Sequence, residues 1–411
     1  MDLRVEIPQV IDFDVVLPAS KSITARALII TALATGGTIT QEIAGAHSCC
    51  DDSAIMARAL SIDSNYINVE GTGTAMRFLT AFFACQQGRT VTLDGDNRMR
   101  LRPIGPLVDA LRLLGASIDY LGLEGFPPLK ITGRRLHGGN ITMRGNVSSQ
   151  FISALLMIAP LAGGITLTIE GDIVSRPYID MTMALMRQHG INVQQGAGQP
   201  TTIVVPAGHY TLPLTDIEGD WSAASYWFAL KALLPQSRIT LSPLLAGSLQ
   251  GDSAIVDMMK PLGVAARFEN SNTIVLISDK SPHFPTYYER NMSATPDLVP
   301  TLAVTLCLLR VPFSLSGVHN LRIKESDRLE ALRLELAKLG YSVVTGDDSL
   351  SYDGNHSLPA HKIEIDPHGD HRIAMAMSLA ATRHRGITIK NAQVVSKSYP
   401  TWWQELTNDK T

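Results

Sequence analysis

An α/β architecture of two domains, each built from three similar units, is predicted by three features of the 411-residue sequence. First, short β-type triplets recur: "VTL" from Val91, "ITL" from Ile165, "ITL" from Ile239, "FSL" from Phe313 and "ITI" from Ile387 stand in equal steps of 74 residues. Second, 17 residues before each triplet lies a residue suited to a helix start: Thr74, Ser148, Ser222, Pro296 and Asp370. Each opens a largely apolar run of helical length, such as "FISALLMIAPLA" or "LVPTLAVTLCLL". Third, another helix in the unit ends at Gly115, Gly190, Gly263 or Gly340, where a left-handed cap is expected before a strand. A "TIT" centred on Ile39, with Ser22 placed 17 residues earlier, adds a sixth and shorter unit.

Strands therefore alternate with two helices in each unit, and six units make two domains of three. The first domain is placed at 18–220 and the second at 1–17 with 221–411, the break falling near "DIEGDWSAAS" and an N-terminal strand joining the second domain. With 45% hydrophobic and 18% charged residues the chain can bury large cores. A net charge of −3 argues against a nucleic-acid coat and favours small-molecule chemistry. Cys49, Cys50, Cys85 and Cys307 show no C-x-x-C spacing and read as reduced packing residues. Acidic residues interrupt the N-terminus, so no signal peptide is expected. The most apolar stretch, 151–169, is broken by Pro160, Gly163 and Gly164, so no membrane span is expected and the protein is placed in the cytoplasm.

The helix starts carry more than caps. Lys21 and Arg26 flank Ser22, Gly73 and Arg77 flank Thr74, and Ser149 and Gln150 follow Ser148; Asp297 follows Pro296, and His371 and Arg372 follow Asp370. Free N–H groups and a partial positive charge at a helix N-terminus, joined by basic and hydroxyl side chains, make anion sites. The ligand should carry several negative charges. "GTGT" at 71–74 lacks the Gly-Lys-Ser/Thr ending of a nucleotide loop. "HKIEIDPHGDHR" at 361–372 lacks H-x-x-x-H spacing, so no metal is expected. "KESDRLEALRLELAKL" at 324–339 also fits an ordinary solvated, charge-patterned helix.

These residues lie in a set of longer motifs: "LPASKSITARAL", "GTGTAMRFLTA", "RPIGPLVDALRLLGA", "NVSSQFISALLMIAPL", "VSRPYIDMT", "NLRIKESDRLEAL", "GDHRIAMAMSLAA" and "KSYP". Through them the chain resembles the 5-enolpyruvylshikimate-3-phosphate synthase family over nearly its full length. The resemblance implies the two-domain enolpyruvyl transferase fold, an inverse α/β barrel of six βαβαββ units, with the active site in an interdomain cleft. It implies transfer of the enolpyruvyl group of phosphoenolpyruvate to the 5-hydroxyl of shikimate 3-phosphate, through a tetrahedral intermediate, without metal or cofactor. Carried over by motif, Lys21, Ser22, Arg26, Ser148, Ser149, Gln150, Ser175, Tyr178, Asp297, Asn320 and Lys324 would meet shikimate 3-phosphate. Lys21, Gly73, Arg102, Gln150, Arg328, Arg372 and Lys397 would hold phosphoenolpyruvate. Asp297 is the implied proton acceptor, with Glu325 and Lys21 the other candidates for proton transfer.

The sequence departs from the family pattern at Ala19, where glycine is usual, at Ala25, where asparagine is usual, and at Gly71-Thr72-Gly73-Thr74, where a side-chain amide is missing. The sister family acting on a UDP-amino sugar uses a loop cysteine, which no cysteine here matches; RNA 3′-phosphate cyclases, with related units, use a nucleotide-linking histidine motif that is absent. A monomer is expected, and glycine at position 73 implies inhibition by glyphosate in competition with phosphoenolpyruvate.

Overall fold

The recurring triplets are strands. In the computed structural model, which describes residues 1–46, 49–211, 217–279 and 283–407, they lie on Thr90–Asp94, Gly164–Glu170, Arg238–Ser242, Phe313–Ser316 and Ile387–Ile389. The chain divides into two compact units, Lys21–Ile217 and Met1–Ser20 with Glu218–Thr411.

In Lys21–Ile217 the helices that matter to function are α1 (Lys21–Ala34), α2 (Asp51–Ser61), α3 (Gly73–Ala84), α4 (Ser149–Ile158) and α5 (Arg176–Gln188). One sheet runs in the order Tyr66–Asn68, Thr90–Asp94, Leu129–Thr132, Ser117–Tyr120; the other in the order Gly139–Arg144, Gly164–Glu170, Thr201–Pro206, Gln194–Gln195. In each, the first pair is parallel and the rest antiparallel. The crossover between the parallel strands contains α3 in one sheet and α4 in the other, as a parallel pair requires. Nearly every residue of α1, α3 and α4 is buried, so these helices have no wet face and form the centre of the unit.

The other unit repeats the plan with α6 (Trp221–Leu233), α7 (Val299–Leu308), α8 (Arg328–Lys338) and α9 (His371–Ser378), of which α6, α7 and α9 are wholly buried. Two of its three sheets take a strand from the N-terminal segment. Asp12–Val16 pairs parallel with Arg238–Ser242, and Leu3–Val5 pairs antiparallel with Ile387–Ile389. Phe13 and Val15 point inward from the first of these, and the Phe13 ring meets Trp227 of α6 edge-on at 5.9 Å. Among the described residues no helix is long and apolar enough to cross a membrane.

Two expectations change. "TIT" at 38–40 is not a strand: Gly36 and Gly37 take positive φ and turn the chain toward the helix Gln41–Ala46, while the Ile39 N–H donates to Leu60 O at the end of α2. The short first repeat therefore has helices but no sheet of its own among the described residues. Of the six expected caps only Ser148 and Asp370 cap by side chain. Asp220 caps α6 in place of Ser222, Thr72 holds the cap position of α3, Ser22 is inside α1, and Pro296 opens a 3-10 turn before α7. The displaced hydroxyls have other partners: Thr74 accepts from Gln150 and Ser222 donates to Asp252, while Thr72, at the cap position of α3, donates to Asp52.

The four terminating glycines do take positive φ. Gly340 is the most constrained: at φ +90° an added Cβ would stand 2.3 Å from the Ser357 carbonyl oxygen, which is backbone and cannot swing aside. Gly340→Ala is expected to lower stability by about 2 kcal/mol or more, read as a lower urea midpoint at unchanged slope.

Candidate functional site

In Lys21–Ile217 the polar groups collect at the starts of the buried helices. Lys21, the first residue of α1, donates from Nζ to Asp52 Oδ2 at 2.8 Å, and Thr72 donates to the other carboxylate oxygen at 2.9 Å. Gln150 Nε2 donates to Thr74 Oγ1 at 3.0 Å, tying the start of α4 to that of α3, while Ser148 Oγ accepts from the Gln150 N–H. Ser149 and Ser175 are buried, and Ser175 holds φ +55° at the start of α5, a strained conformation for a residue with a side chain.

Three arginines play different parts here. Arg26 is buried and fully committed: Nε donates to Thr182 Oγ1 at 2.7 Å, Nη1 to the Ser22 carbonyl, and Nη2 to Ser153 Oγ and the Tyr178 carbonyl. Burial draws its pKa down to about 10, so it remains a cation at neutral pH. Arg77 holds the Gly73 and Pro103 carbonyls. Arg102 is only 8% exposed, yet no hydrogen-bond or ion-pair partner for its guanidinium is present among the described residues. It lies across the α-carbon of Gly73, where an added Cβ would meet Nη1 and Nη2 at 2.7 Å.

The other unit gathers charge around Arg328, which is 1% exposed. Its Nε donates to Asp370 Oδ2 at 2.7 Å, Nη1 to Asp297 Oδ1 at 2.8 Å and Nη2 to Glu325 Oε2 at 2.8 Å. Arg372 Nη2 donates to Asp297 Oδ2 at 2.9 Å, and Lys324 Nζ is 3.8 Å from Asp297 Oδ1. Asp370 also caps α9 by accepting from the Arg372 N–H. Burial alone would raise the Asp297 pKa, but Arg372, Lys324 and Arg328 together hold it well below the usual carboxylate range. Asn320 lies on the turn His319–Ile323 leading to Lys324, its buried Oδ1 without a hydrogen-bond partner among the described residues, and Lys397 ends the turn Ala392–Lys397.

Sequence motifs thus locate Lys21, Ser22, Gly73, Arg102, Ser148, Ser149, Gln150, Ser175 and Tyr178 in one set and Asp297, Lys324, Glu325, Arg328 and Arg372 in the other. They assign no role to Asp52, Thr72 or Asp252. Asp52 is the partner of Lys21, and only its place in the first turn of α2 could have marked it. Among the described residues no cluster of His, Cys, Asp and Glu is arranged to hold a metal; His368 Nε2 pairs with Glu335 at 2.9 Å instead.

Because the folded protein holds the Asp297 carboxyl below its ordinary value of 3.8, the stabilisation it provides is complete above that pH and is lost as pH falls through the lower folded value. Asp297→Asn is expected to cost about 3 kcal/mol near neutral pH, the gap from the parent protein closing as urea unfolding is repeated below pH 4.

The profile of one family, EPSP synthase (3-phosphoshikimate 1-carboxyvinyltransferase), matches residues 46–406. The chain is 45% identical over 401 residues to a 3-phosphoshikimate 1-carboxyvinyltransferase of Bacteroides fragilis, covering 97% of this chain and 95% of that one. It is 34% identical over 429 residues to the enzyme of the same name from Shewanella halifaxensis, covering 98% of each. In fold it is similar to an EPSP synthase from Acinetobacter baumannii (TM-score 0.70, 23% identity, 99% of this chain and 98% of that one). A like similarity joins it to the enolpyruvyl transferase NikO from Streptomyces tendae (TM-score 0.69, 16% identity, 98% and 96%), in keeping with the expected enolpyruvyl transferase fold.

Proposed function

The chain belongs to the EPSP synthase family, so its activity is transfer of the enolpyruvyl group of phosphoenolpyruvate to shikimate 3-phosphate with release of phosphate, and we propose that the two residue sets described above divide that reaction between them. Arg102 carries this reading. A buried guanidinium without a counter-charge among the described residues, set beside the free N–H groups that open α3, is costly to leave alone and suited to an anion. Phosphoenolpyruvate offers a carboxylate and a phosphate, and Arg328, Arg372 and Lys397 take the remaining charge by charge-assisted contacts.

Shikimate 3-phosphate meets Lys21, Ser22, Ser148, Ser149, Gln150, Ser175 and Tyr178, with Asp297, Asn320 and Lys324 on its ring. Arg26, already bonded to four groups, serves mainly by bracing the Ser22 and Tyr178 carbonyls. Asp297 accepts the proton of the 5-hydroxyl as its oxygen attacks, while Lys21 or Glu325 protonates the methylene carbon; loss of a carbon proton then expels phosphate. In the free protein Asp297 is a weak base, because Arg372, Lys324 and Arg328 hold it ionised. Substrate anions that engage those cations spread their charge and make the carboxylate more basic when it is needed. The proposal is a monomeric cytoplasmic enzyme working on two anionic metabolites without a cofactor.

Phosphate release that requires both substrates tests the activity, and release from phosphoenolpyruvate alone would contradict it. Lys21→Met is expected to abolish release. It should also cost about 2 kcal/mol of stability, because Asp52 is left with Thr72. Asp297→Ala is expected to lower turnover by roughly 10²-fold or more, and near-full activity would remove Asp297 from the mechanism.

Gly73→Ala must push Arg102 aside. It is expected to weaken phosphoenolpyruvate binding somewhat and the longer inhibitor glyphosate far more, as compared from the Michaelis and inhibition constants. Equal fold-changes in the two would show that position 73 does not discriminate.

A further inference from the structure

Asp252, on the 3-10 turn Gly251–Ala254, is a carboxylate that the reaction as described does not use. It is 3% exposed. One oxygen, Oδ2, accepts a hydrogen bond from the Ser222 hydroxyl in the first turn of α6. The other, Oδ1, is buried with no hydrogen-bond partner among the described residues. Ser222 Oγ also lies 3.5 Å from Arg372 Nη2, the nitrogen that donates to Asp297. A chain Asp252–Ser222–Arg372–Asp297 therefore runs from a sealed carboxylate to the proposed base.

We propose that Asp252 is a positioning residue for phosphoenolpyruvate: through the Ser222 hydroxyl it sets how firmly Arg372 is held, and by taking or losing one proton it sets how much of the Arg372 charge is left for an incoming anion. This rests on the reading that Arg372 receives phosphoenolpyruvate. When Asp252 is ionised, Ser222 donates to it and turns its lone pairs to Arg372, which then faces both Asp297 and a second negative charge. When Asp252 is protonated, its own O–H donates to Ser222, the second charge is gone, and Arg372 has Asp297 as its carboxylate partner.

The charges facing Asp252 are Asp297 from the turn before α7, Arg372 from α9 and Asp220 from the cap of α6. Burial first, and Asp297 next, push the Asp252 carboxyl up to about 7, against the pull of Arg372 and the Ser222 hydrogen bond. Both protonation states are therefore populated near neutral pH, and an unpartnered buried oxygen is less costly on the neutral acid than on the anion.

Asp252→Asn keeps the shape and removes the titration. The Michaelis constant for phosphoenolpyruvate is measured for both proteins from pH 6 to pH 8.5; taking the ratio of parent to variant cancels the titration of the substrate's own phosphate. The ratio is expected to stay near one at the acid end and to rise to about 5-fold at the alkaline end, the change falling on KM rather than kcat. Ser222→Ala, which cuts the relay but leaves the charge, is expected to flatten part of that rise.

Arg372→Lys serves as the reference. If it raises KM while the Asp252→Asn ratio is flat, the coupling is overturned and the assignment of Arg372 stands. If it leaves KM unchanged, the assignment itself has failed and the proposal goes with it. A merely structural Asp252 would show only in stability. Its raised carboxyl value penalises the fold increasingly between the ordinary 3.8 and about 7, so Asp252→Asn gains thermal stability over the parent as pH rises through that window. That gain with a flat KM ratio would overturn the proposal.

Discussion

A helix buried on every side has only its ends left for polar chemistry, and the rest of both units is arranged around that constraint. The flanks of α1, α3 and α4, and of α6, α7 and α9, are consumed by packing. Their first turns still hold N–H groups with no partner inside the helix. Side chains fill the need: Asp220 and Asp370 cap outright, and Ser148 accepts from Gln150. Once hydroxyls, amides and carboxylates must stand at these ends for structural reasons, only the addition of cations is needed to turn a cap into a binding surface.

The two sets answer the same constraint with opposite charge balance. In Lys21–Ile217 the cations are spread out, each with a different role, and Arg102 has been left without a counter-ion among the described residues. In the other unit carboxylates crowd the cations, with Asp297, Glu325 and Asp370 all on one guanidinium. Removing a carboxylate from such a cluster leaves a buried positive charge uncompensated, so its parts are not independent. The first arrangement is ready for an anion; the second must share its cations to accept one.

Much of this was legible in the sequence. The 74-residue spacing finds the strands because each unit reuses one packing solution, and the four glycines mark helix ends because the chain must turn left-handed there. The caps were less legible: Ser222 and Thr74 have the right chemistry, but their hydroxyls are engaged by Asp252 and Gln150, side chains distant in sequence. Asp252 gave no local signal and Asp52 only its place in the first turn of a helix, since what distinguishes both is the neighbour that folding brings, not the residues beside them. "TIT" misled because a β-type triplet becomes a strand only if another strand is there to pair with it.

The N-terminal segment sets the order in which the chain can be completed. Asp12 and Arg238, partners across a sheet, are 226 residues apart, and Leu3 faces Ile389. On the ribosome Lys21–Ile217 has all its own strands once Thr201–Pro206 has emerged, whereas the leading strands must wait for Arg238–Ser242 and Ile387–Ile389. Until then Ile11, Phe13 and Val15, all destined for the core, trail beside a finished neighbour with unpaired edges. For most of its synthesis the nascent protein therefore carries an adhesive segment, and the steps most exposed to misassociation are those that pair it with Arg238–Ser242 and Ile387–Ile389.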